Sequence, residues 1–566
     1  MNKKWEIDKP NEEQVKEIQE QYKINNLLAK ILVNRGITKQ EDIRLFLNPT
    51  RKDFYDPYLM PDMEKAVERI KKAIENNEKV LIYGDYDVDG ITSVTVLKSF
   101  LQERGLKVDE YIPNRLNEGY GLNKPAVEKI ANQKYTLMIT VDCGISAIEE
   151  VKFANSLGLE VIVTDHHEPG EELPSAIAVV DAKRKDNQYP FRNLAGVGVV
   201  FKLIQAISQK LNLEEKEYLK YLDIVCVGTI SDIVPLVDEN RVIVKLGLKL
   251  VEQTRNKGLR TILAISGYQK VDSSTISFGI APRINACGRM GYQEEALKLF
   301  LSKDDDEVNE LAQKLNQYNI QRQEKERQIF TEAIEKIEKE GIDKKSIMVI
   351  DGENWHHGVI GIVASKITEM YFKPSILLCF EEGGEEGKGS GRSIPGFDLH
   401  EALTKCNNNL EKFGGHSMAI GLSVNKNSLD DLRQQLDIIA KEKQIDKIVP
   451  ILKIDAEVNL EDANKEIVQS LKELEPFGEE NKTPLFVFKN LKIDSIRALS
   501  EGKHLKLTLR QDNKNIVNAM GFNLGYLTEE YRIGDKVDVV GTLEINKFNG
   551  EENIQILLKD MMKSIE

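Results

Sequence analysis

Hydrophobic and polar positions follow two rhythms that change along the chain. In "NNLLAKILVNRGIT" the apolar residues recur at helical spacing, and the stretch ends at "FLNPT", where Asn-Pro signals a turn. Residues 1–50 are therefore expected to form an N-terminal helical segment with no visible chemistry. From about residue 79, short β-branched runs alternate with helical patterns: "KVLIY" with "ITSVTVLKSFLQERG", "YTLMITV" with "ISAIEEVKFANSLG", then "LEVIVT" and "AIAVV". Such alternation predicts βαβ units and a doubly wound, mainly parallel sheet within 51–303.

The stretch 304–341 is highly charged, lacks proline and spaces its apolar residues helically, which predicts one long connecting helix. A second, smaller α/β pattern fills 342–450, with "SIMVI", "GVIGIVASKITEMYF" and "SILLCF". Over 451–566 the rhythm becomes strands separated by Gly turns, "PLFVF", "HLKLTLR", "KVDVVGTLEI" and "NIQILL", which predicts a small β-barrel of the OB type.

Composition narrows the function classes. A chain of 566 residues exceeds what one core supports, so several domains are expected. It has no apolar run of membrane-spanning length, and "MNKKWEIDKP" lacks a signal-peptide core, so no membrane association and a cytoplasmic location are expected. The five cysteines are widely spaced, with no CxxC pair, which argues against a disulfide framework or a zinc knuckle.

A net charge of −14 opposes a wrap-around nucleic-acid binder, so any such binding must use local basic patches. One candidate is 481–514, where Lys482, Lys489, Lys492, Arg497, Lys503, Lys506, Arg510 and Lys514 face only three acids. Such a run is either a solvated strand face or a track for a single strand; on an OB barrel the track is the expected reading.

The acidic and histidine clusters follow the predicted strands. Asp85, Asp87 and Asp89 come after "VLIY", Asp142 after "LMITV", and Asp165, His166 and His167 after "EVIVT". In a parallel sheet these are the carboxyl ends, where ligands bind. Any one of these aspartates could be merely a helix cap; together they predict a site for two divalent cations, Mn²⁺ or Mg²⁺, whose charge would offset the crowded carboxylates.

"DYDVDG", "VDCG", "TDHH" and Asp232 in "GTISDIVPL" resemble motifs I to IV of the DHH phosphoesterases. "APRINACGRM", "WHHGVIGIVASK", "GSGRS" and "FGGHSMAIGL" resemble the later motifs of the RecJ-type branch, and "LEPFGEENKTPLF" resembles the lead-in to its OB domain. The resemblance covers almost the whole chain in order. It implies a DHH catalytic domain (51–303), a DHHA1-like substrate-binding domain (342–450) and an OB-fold domain (451–566).

The resemblance also implies that Asp89, Asp142, His166 and Asp232 hold one ion and that Asp87 and Asp142 hold the other, with Asp142 bridging. His167 would face the scissile phosphate. Tyr83 stands where the pyrophosphatase branch has a histidine, so the second ion would be held more loosely, with Asp85 or water completing its ligand set.

In the second half, the glycines around Ser390 and Arg392, and Gly415 with His416, allow backbone N–H groups to approach a phosphate, although each loop alone reads as a tight turn. Arg283 and Arg289 are either structural ion pairs or strand contacts. The resemblance favours Arg283 and Arg392 as contacts to the 5′ end or the backbone of the strand. His356 precedes a helix N-terminus that favours anions, and Trp355 is as compatible with core packing as with base stacking.

The implied activity is a 5′ to 3′ exonuclease specific for single-stranded DNA, releasing mononucleotides by two-metal-ion hydrolysis in recombination and repair. A helicase and a single-strand-binding protein are candidate partners, and a monomer suffices. The alternatives are a phosphodiesterase for oligoribonucleotides or cyclic dinucleotides, against which the barrel speaks, and an inactive scaffold, against which the intact acidic set speaks.

Overall fold

The computed structural model describes residues 3–115, 117–512, 514–548 and 550–564. The chain opens on a short strand, β1 (Lys4–Ile7), followed by helices Glu12–Tyr22, Asn26–Asn34 and Gln40–Leu47. The first α/β unit then lays down β2 (Lys79–Tyr83), β3 (Lys107–Tyr111), β4 (Leu137–Val141), β5 (Glu160–Thr164) and β6 (Ala178–Val180). These pair in the order β3-β2-β4-β5-β6, all parallel. Side chains alternate between faces, as the pleat requires. Val80, Ile82 and Ile139 enter one core, whereas Leu81, Tyr83 and Met138 enter another. Burial on both faces explains why these strands read as continuous apolar runs.

Helix Asp305–Glu340 joins the two α/β units. Asp304 caps it by accepting from the Glu307 N–H, and Gly341 ends it with φ +64°. At 1.5 Å per residue its 36 residues span about 54 Å. Val308, Leu311 and Leu315 lie in the core of the first unit, and Ile329, Ala333 and Ile337 in a core of the second.

That unit carries β7 (Met348–Glu353), β8 (Ser375–Phe380), β9 (Glu386–Arg392), β10 (Lys412–His416) and β11 (Ala419–Asn425), in the order β10-β11-β9-β8-β7. Only β7 and β8 are parallel.

The last module contains β12 (Ile451–Ile454), β13 (Ala456–Glu457), β14 (Phe486–Leu499), β15 (His504–Arg510), β16 (Ile516–Gly521), β17 (Lys536–Phe548) and β18 (Glu551–Lys563). β14 pairs with both β15 and β17, which closes β14-β15-β16-β18-β17 into a barrel.

The N-terminal segment differs from a free helical preamble. β1 pairs in parallel with β12, and Val15, Leu28, Ile31 and Ile43 share one core with Phe486, Leu507 and Val539 of the barrel. Its amphipathic helices need an apolar partner, and the far end of the chain supplies it. Among the described residues no helix is long and apolar enough to cross a membrane.

Candidate metal centre and nucleic-acid interface

The strand order reverses between β2 and β4, so their carboxyl ends flank the crevice where α/β sheets bind ligands. Asp87 caps helix Val88–Gln102 by accepting from the Gly90 N–H (3.1 Å), which places Asp89 in the buried first turn. The N-terminus of helix Gly196–Lys210 holds Asp89: Gly196 N–H and Val197 N–H donate to its two oxygens at 2.6 and 2.8 Å. A Cβ on Gly196 would stand 2.7 Å from Asp142 Oδ1, so this close approach requires glycine. Asp142 itself takes φ +60°, a left-handed conformation that aspartate tolerates better than most residues.

Three groups of ligand atoms lie within 4.8 Å of one another: Asp89, His166 and Asp232; Asp85, Asp87 and Asp142; and Asp142, Asp165, His166 and His167. His166 Nε2 is 3.1 Å from Asp142 Oδ1 and 3.8 Å from Asp89 Oδ2, and Nδ1 is 3.6 Å from Asp232 Oδ2. Among the described residues, neither His166 Nε2 nor Asp85 Oδ1 has a hydrogen-bond partner, although both are buried. Buried polar atoms without partners are costly, and an oxygen-and-imidazole set of this kind fits Mn²⁺ or Mg²⁺. Tyr83 lies in the core, with its hydroxyl donating to the Gly121 carbonyl (3.0 Å).

Electrostatics point the same way. Burial, then the charge of Asp87, pushes Asp89 up to about 7, and burial, then Asp89 and Asp87, pushes Asp232 up to about 9. Asp85 and Asp142 rise as well, through burial and then the nearest carboxylate. Burial, then His167, lowers His166 to about 3, leaving a neutral imidazole free to donate a lone pair. Burial would lower His167 too, but the 2.7 Å bond and the charge of Asp165 outweigh it and raise that ring.

Carboxyl pKa values raised on folding destabilise the cation-free protein progressively as pH climbs from the ordinary carboxylate range toward 9. A cation that binds the ionised set removes this penalty. Mn²⁺ is therefore expected to raise the melting temperature more at pH 8 than at pH 6; equal shifts in paired thermal melts would contradict the site.

A second cluster adjoins the first. Arg115 sits 5.1 Å from the Tyr86 ring, and its charge reaches Asp85 on one side and Arg392 on the other. Arg289 crosses from the catalytic domain to donate to the Gly358 carbonyl (2.9 Å) at the start of helix His357–Tyr371. Burial, then Arg115, Arg322 and Arg392, pushes Arg289 down to about 10. Arg392 donates to Ser390 Oγ (3.0 Å), and a Cβ on Gly361 of the same helix would stand 2.9 Å from that oxygen. Among the described residues Arg115, Arg289 and Arg392 make no ion pair, so three cations cluster beside the carboxylates, with Arg115 within reach of the Asp85 charge.

Other expected contacts fall differently. Arg283 is engaged by Asn316 (3.0 Å) and the Gly279 carbonyl, and does not join the arginine group. Trp355 is 8% exposed and bonded to Glu332 (2.7 Å), so it is core and not a stacking platform. His356 caps its helix by accepting from the Gly358 N–H (3.1 Å), which occupies Nδ1; exposed His357 is the one beside Arg115 and Lys388. Gly415 and His416 lie on exposed edge strand β10, with His416 in register with Arg392 across β11.

On the barrel, Lys489 pairs with Glu457, Arg510 with Asp494 and Lys482 with Glu479. Lys492, Arg497, Lys503, Lys506 and Lys514 make no ion pair among the described residues. Arg497 and Lys506 are cross-strand neighbours, and beyond them Phe522 (58% exposed) meets the His504 ring at 5.2 Å, with Tyr526 52% exposed nearby in sequence. Basic side chains beside exposed aromatics match what an unpaired strand needs. Phe522 and Tyr526 escaped sequence reading because isolated aromatics there look like core.

Three family descriptions match in order: "DHH family, N-terminal domain" over 79–229, "DHHA1 domain" over 344–442 and "RecJ OB domain" over 454–560. The single-stranded-DNA-specific exonuclease RecJ of Bacillus subtilis is 41% identical over 98% of this chain and 70% of its own length. That of Dickeya dadantii is 31% identical over 94% of this chain and 96% of its own. The crystal structure of Thermus thermophilus RecJ with Mn²⁺ superimposes with TM-score 0.86 at 28% identity, covering 100% of this chain and 80% of that one. With all three domains matched and a 41% identical relative spanning nearly its whole length, the chain belongs to the RecJ family of single-stranded-DNA-specific exonucleases.

Proposed function

We propose that the protein degrades single-stranded DNA from the 5′ end, releasing mononucleotides. The observation that carries this reading is the cluster of Arg115, Arg289 and Arg392, without an ion pair among the described residues, beside the carboxylates: Arg115 lies 5.1 Å from the Tyr86 ring, and its charge reaches Asp85 and Arg392 alike. A terminal phosphate held by those guanidiniums puts the next phosphodiester beside the carboxylates, so one nucleotide is cut at a time.

In this reading Asp85, Asp87, Asp89, Asp142, His166 and Asp232 hold the cations. Bound there, two divalent ions supply charge neutralisation at the phosphate and an acidified water. His167, whose pKa the bond and charge of Asp165 raise against burial, faces a phosphate oxygen where negative charge builds. Tyr120, whose hydroxyl lies 3.2 Å from both His167 Nδ1 and the Asp142 carbonyl, steadies that ring. Ser390, Gly415 and His416 line the way in, and the barrel retains the rest of the strand.

One chain contains every part, so a monomer suffices. A helicase and a single-strand-binding protein would present its substrate in the cytoplasm. The test is a single strand labelled at either end, incubated with Mn²⁺, Mg²⁺ or EDTA. Labelled mononucleotide should appear at once from the 5′ label, and a shrinking ladder from the 3′ label, only with metal; the reverse pattern would overturn the polarity.

The strand track makes a separate prediction. Arg497→Gln with Lys506→Gln should reduce the salt dependence of long-strand binding by about 1.4 in log–log slope, two phosphate contacts' worth. Phe522→Ala should weaken binding by about 1–3 kcal/mol, one stacked base. Anisotropy titrations across salt concentrations check both, and an unchanged slope would remove the track from the barrel.

A further inference from the structure

Arg241 is 1% exposed and makes no ion pair among the described residues. Its Nε donates to the Phe46 carbonyl (2.7 Å). Nη2 donates to the carbonyls of Leu474 (3.1 Å), Glu475 (3.0 Å) and Glu473 (3.4 Å), and Nη1 to that of Pro476 (3.4 Å). The guanidinium also lies 3.6 Å from the centre of the Phe46 ring. One side chain of the catalytic domain thus ties together the N-terminal segment and the 473–476 strap that leads into the barrel. These are the two pieces that share the barrel's core.

The surrounding contacts repeat the pattern. Leu236 N–H donates to the Glu479 carbonyl (2.9 Å), Ser273 Oγ to the Phe477 carbonyl (2.6 Å) and Lys245 Nζ to the Leu47 carbonyl (2.6 Å). From just beyond the strap, buried Asn481 donates to the Leu474 (2.9 Å) and Pro476 (2.7 Å) carbonyls. Leu236 and Arg241 belong to the stretch that begins at Asp232 of the metal centre. Burying a guanidinium without an acid is expensive, and apolar packing would suffice for adhesion alone. A planar fork spread over five carbonyls specifies an orientation as well.

We propose that Arg241 is a positioning residue that fixes the barrel, and the strand track on it, at one angle to the metal centre. This rests on the strand-track reading above. In this arrangement the barrel and the cleft act as linked sites, and a strand bound by one is delivered to the other without a search. Linked sites gain roughly 10²- to 10⁴-fold in avidity and lose it when geometry fails.

The experiment compares wild type, Arg241→Met and Arg241→Lys on a strand too short to reach the barrel and on one that spans both sites, with small-angle scattering of each protein. KM for the long strand should rise about tenfold or more in both variants, because an ammonium cannot span five carbonyls. kcat and the short-strand KM should stay unchanged, and scattering should show a wider spread of interdomain distances. Equal losses on both strands, or an unchanged long-strand KM, would overturn the proposal. If Arg241→Met fails to fold, Ser273→Ala combined with Lys270→Ala, which removes the 3.0 Å ion pair of Lys270 with Glu475, cuts strap contacts while leaving Arg241 in place, and must show the same split. A wild type that does not distinguish long from short strands would defeat the strand-track reading, whereas unaltered scattering in the variants would defeat the role of Arg241.

Discussion

Asp142→Asn is expected to lower turnover roughly 10³-fold or more while leaving the fold and long-strand binding intact. Asp142 is shared by two of the ligand groups and lies 3.1 Å from His166 Nε2, so its charge is the one that both halves of the centre use. Asparagine is the informative replacement because φ is +60° here, a conformation it tolerates, whereas alanine would add roughly 1–2 kcal/mol of backbone strain. Single-turnover cleavage gives the rate, and anisotropy on a catalytically silent long strand gives the binding. Turnover within tenfold of wild type would show that the cations do not depend on this carboxylate.

Arg392→Ala is expected to cost roughly 10- to 150-fold in kcat/KM on short and long strands alike. That is the worth of a hydrogen bond from a charged donor, about 1.5–3 kcal/mol. Both strands must present an end to the same pocket, so length should not matter. The pocket predicts a sharper result as well: wild type should prefer a 5′-phosphate to a 5′-hydroxyl end, and the variant should lose that preference. A preference that survives in Arg392→Ala would mean that Arg115 and Arg289 hold the phosphate unaided. A loss confined to long strands would place Arg392 on the track instead.

Asp85, Asp87, Asp89, Asp142 and His166 were legible in sequence because each sits just after an apolar strand, and parallel strands bring their carboxyl ends to one rim; Asp232, at the end of helix Leu222–Ser231, was legible only through its motif. The connecting helix was legible because its charge pattern and flanking Asp304 and Gly341 are local signals. What escaped was whatever depends on distant partners. Gly196 looks like any residue of "AGVGVV" until its N–H is found on Asp89, and Arg115 looks like a loop charge until Arg289 and Arg392 close around it. The local roles of Trp355 and His356 were not legible either: the helix they introduce uses one for packing and the Nδ1 of the other for its cap. Arg283 and Arg289 flank the same motif, yet helical geometry turns them toward different neighbours.

The union of β1 with β12 bears on how the chain is made. Trp5 Nε1 donates to Asp560 at 2.8 Å, and the apolar residues of Asn26–Asn34 and Gln40–Leu47 share a core with residues synthesised roughly 400 residues later. At about 5–20 residues per second, the ribosome leaves those apolar residues uncovered for about 20–80 s after they emerge. Two α/β domains can fold in that interval while the first helices wait, so the barrel closes last. A nascent chain stalled before β14 should therefore expose Leu28, Ile31 and Ile43 to holding chaperones, and release them only when the final strands arrive.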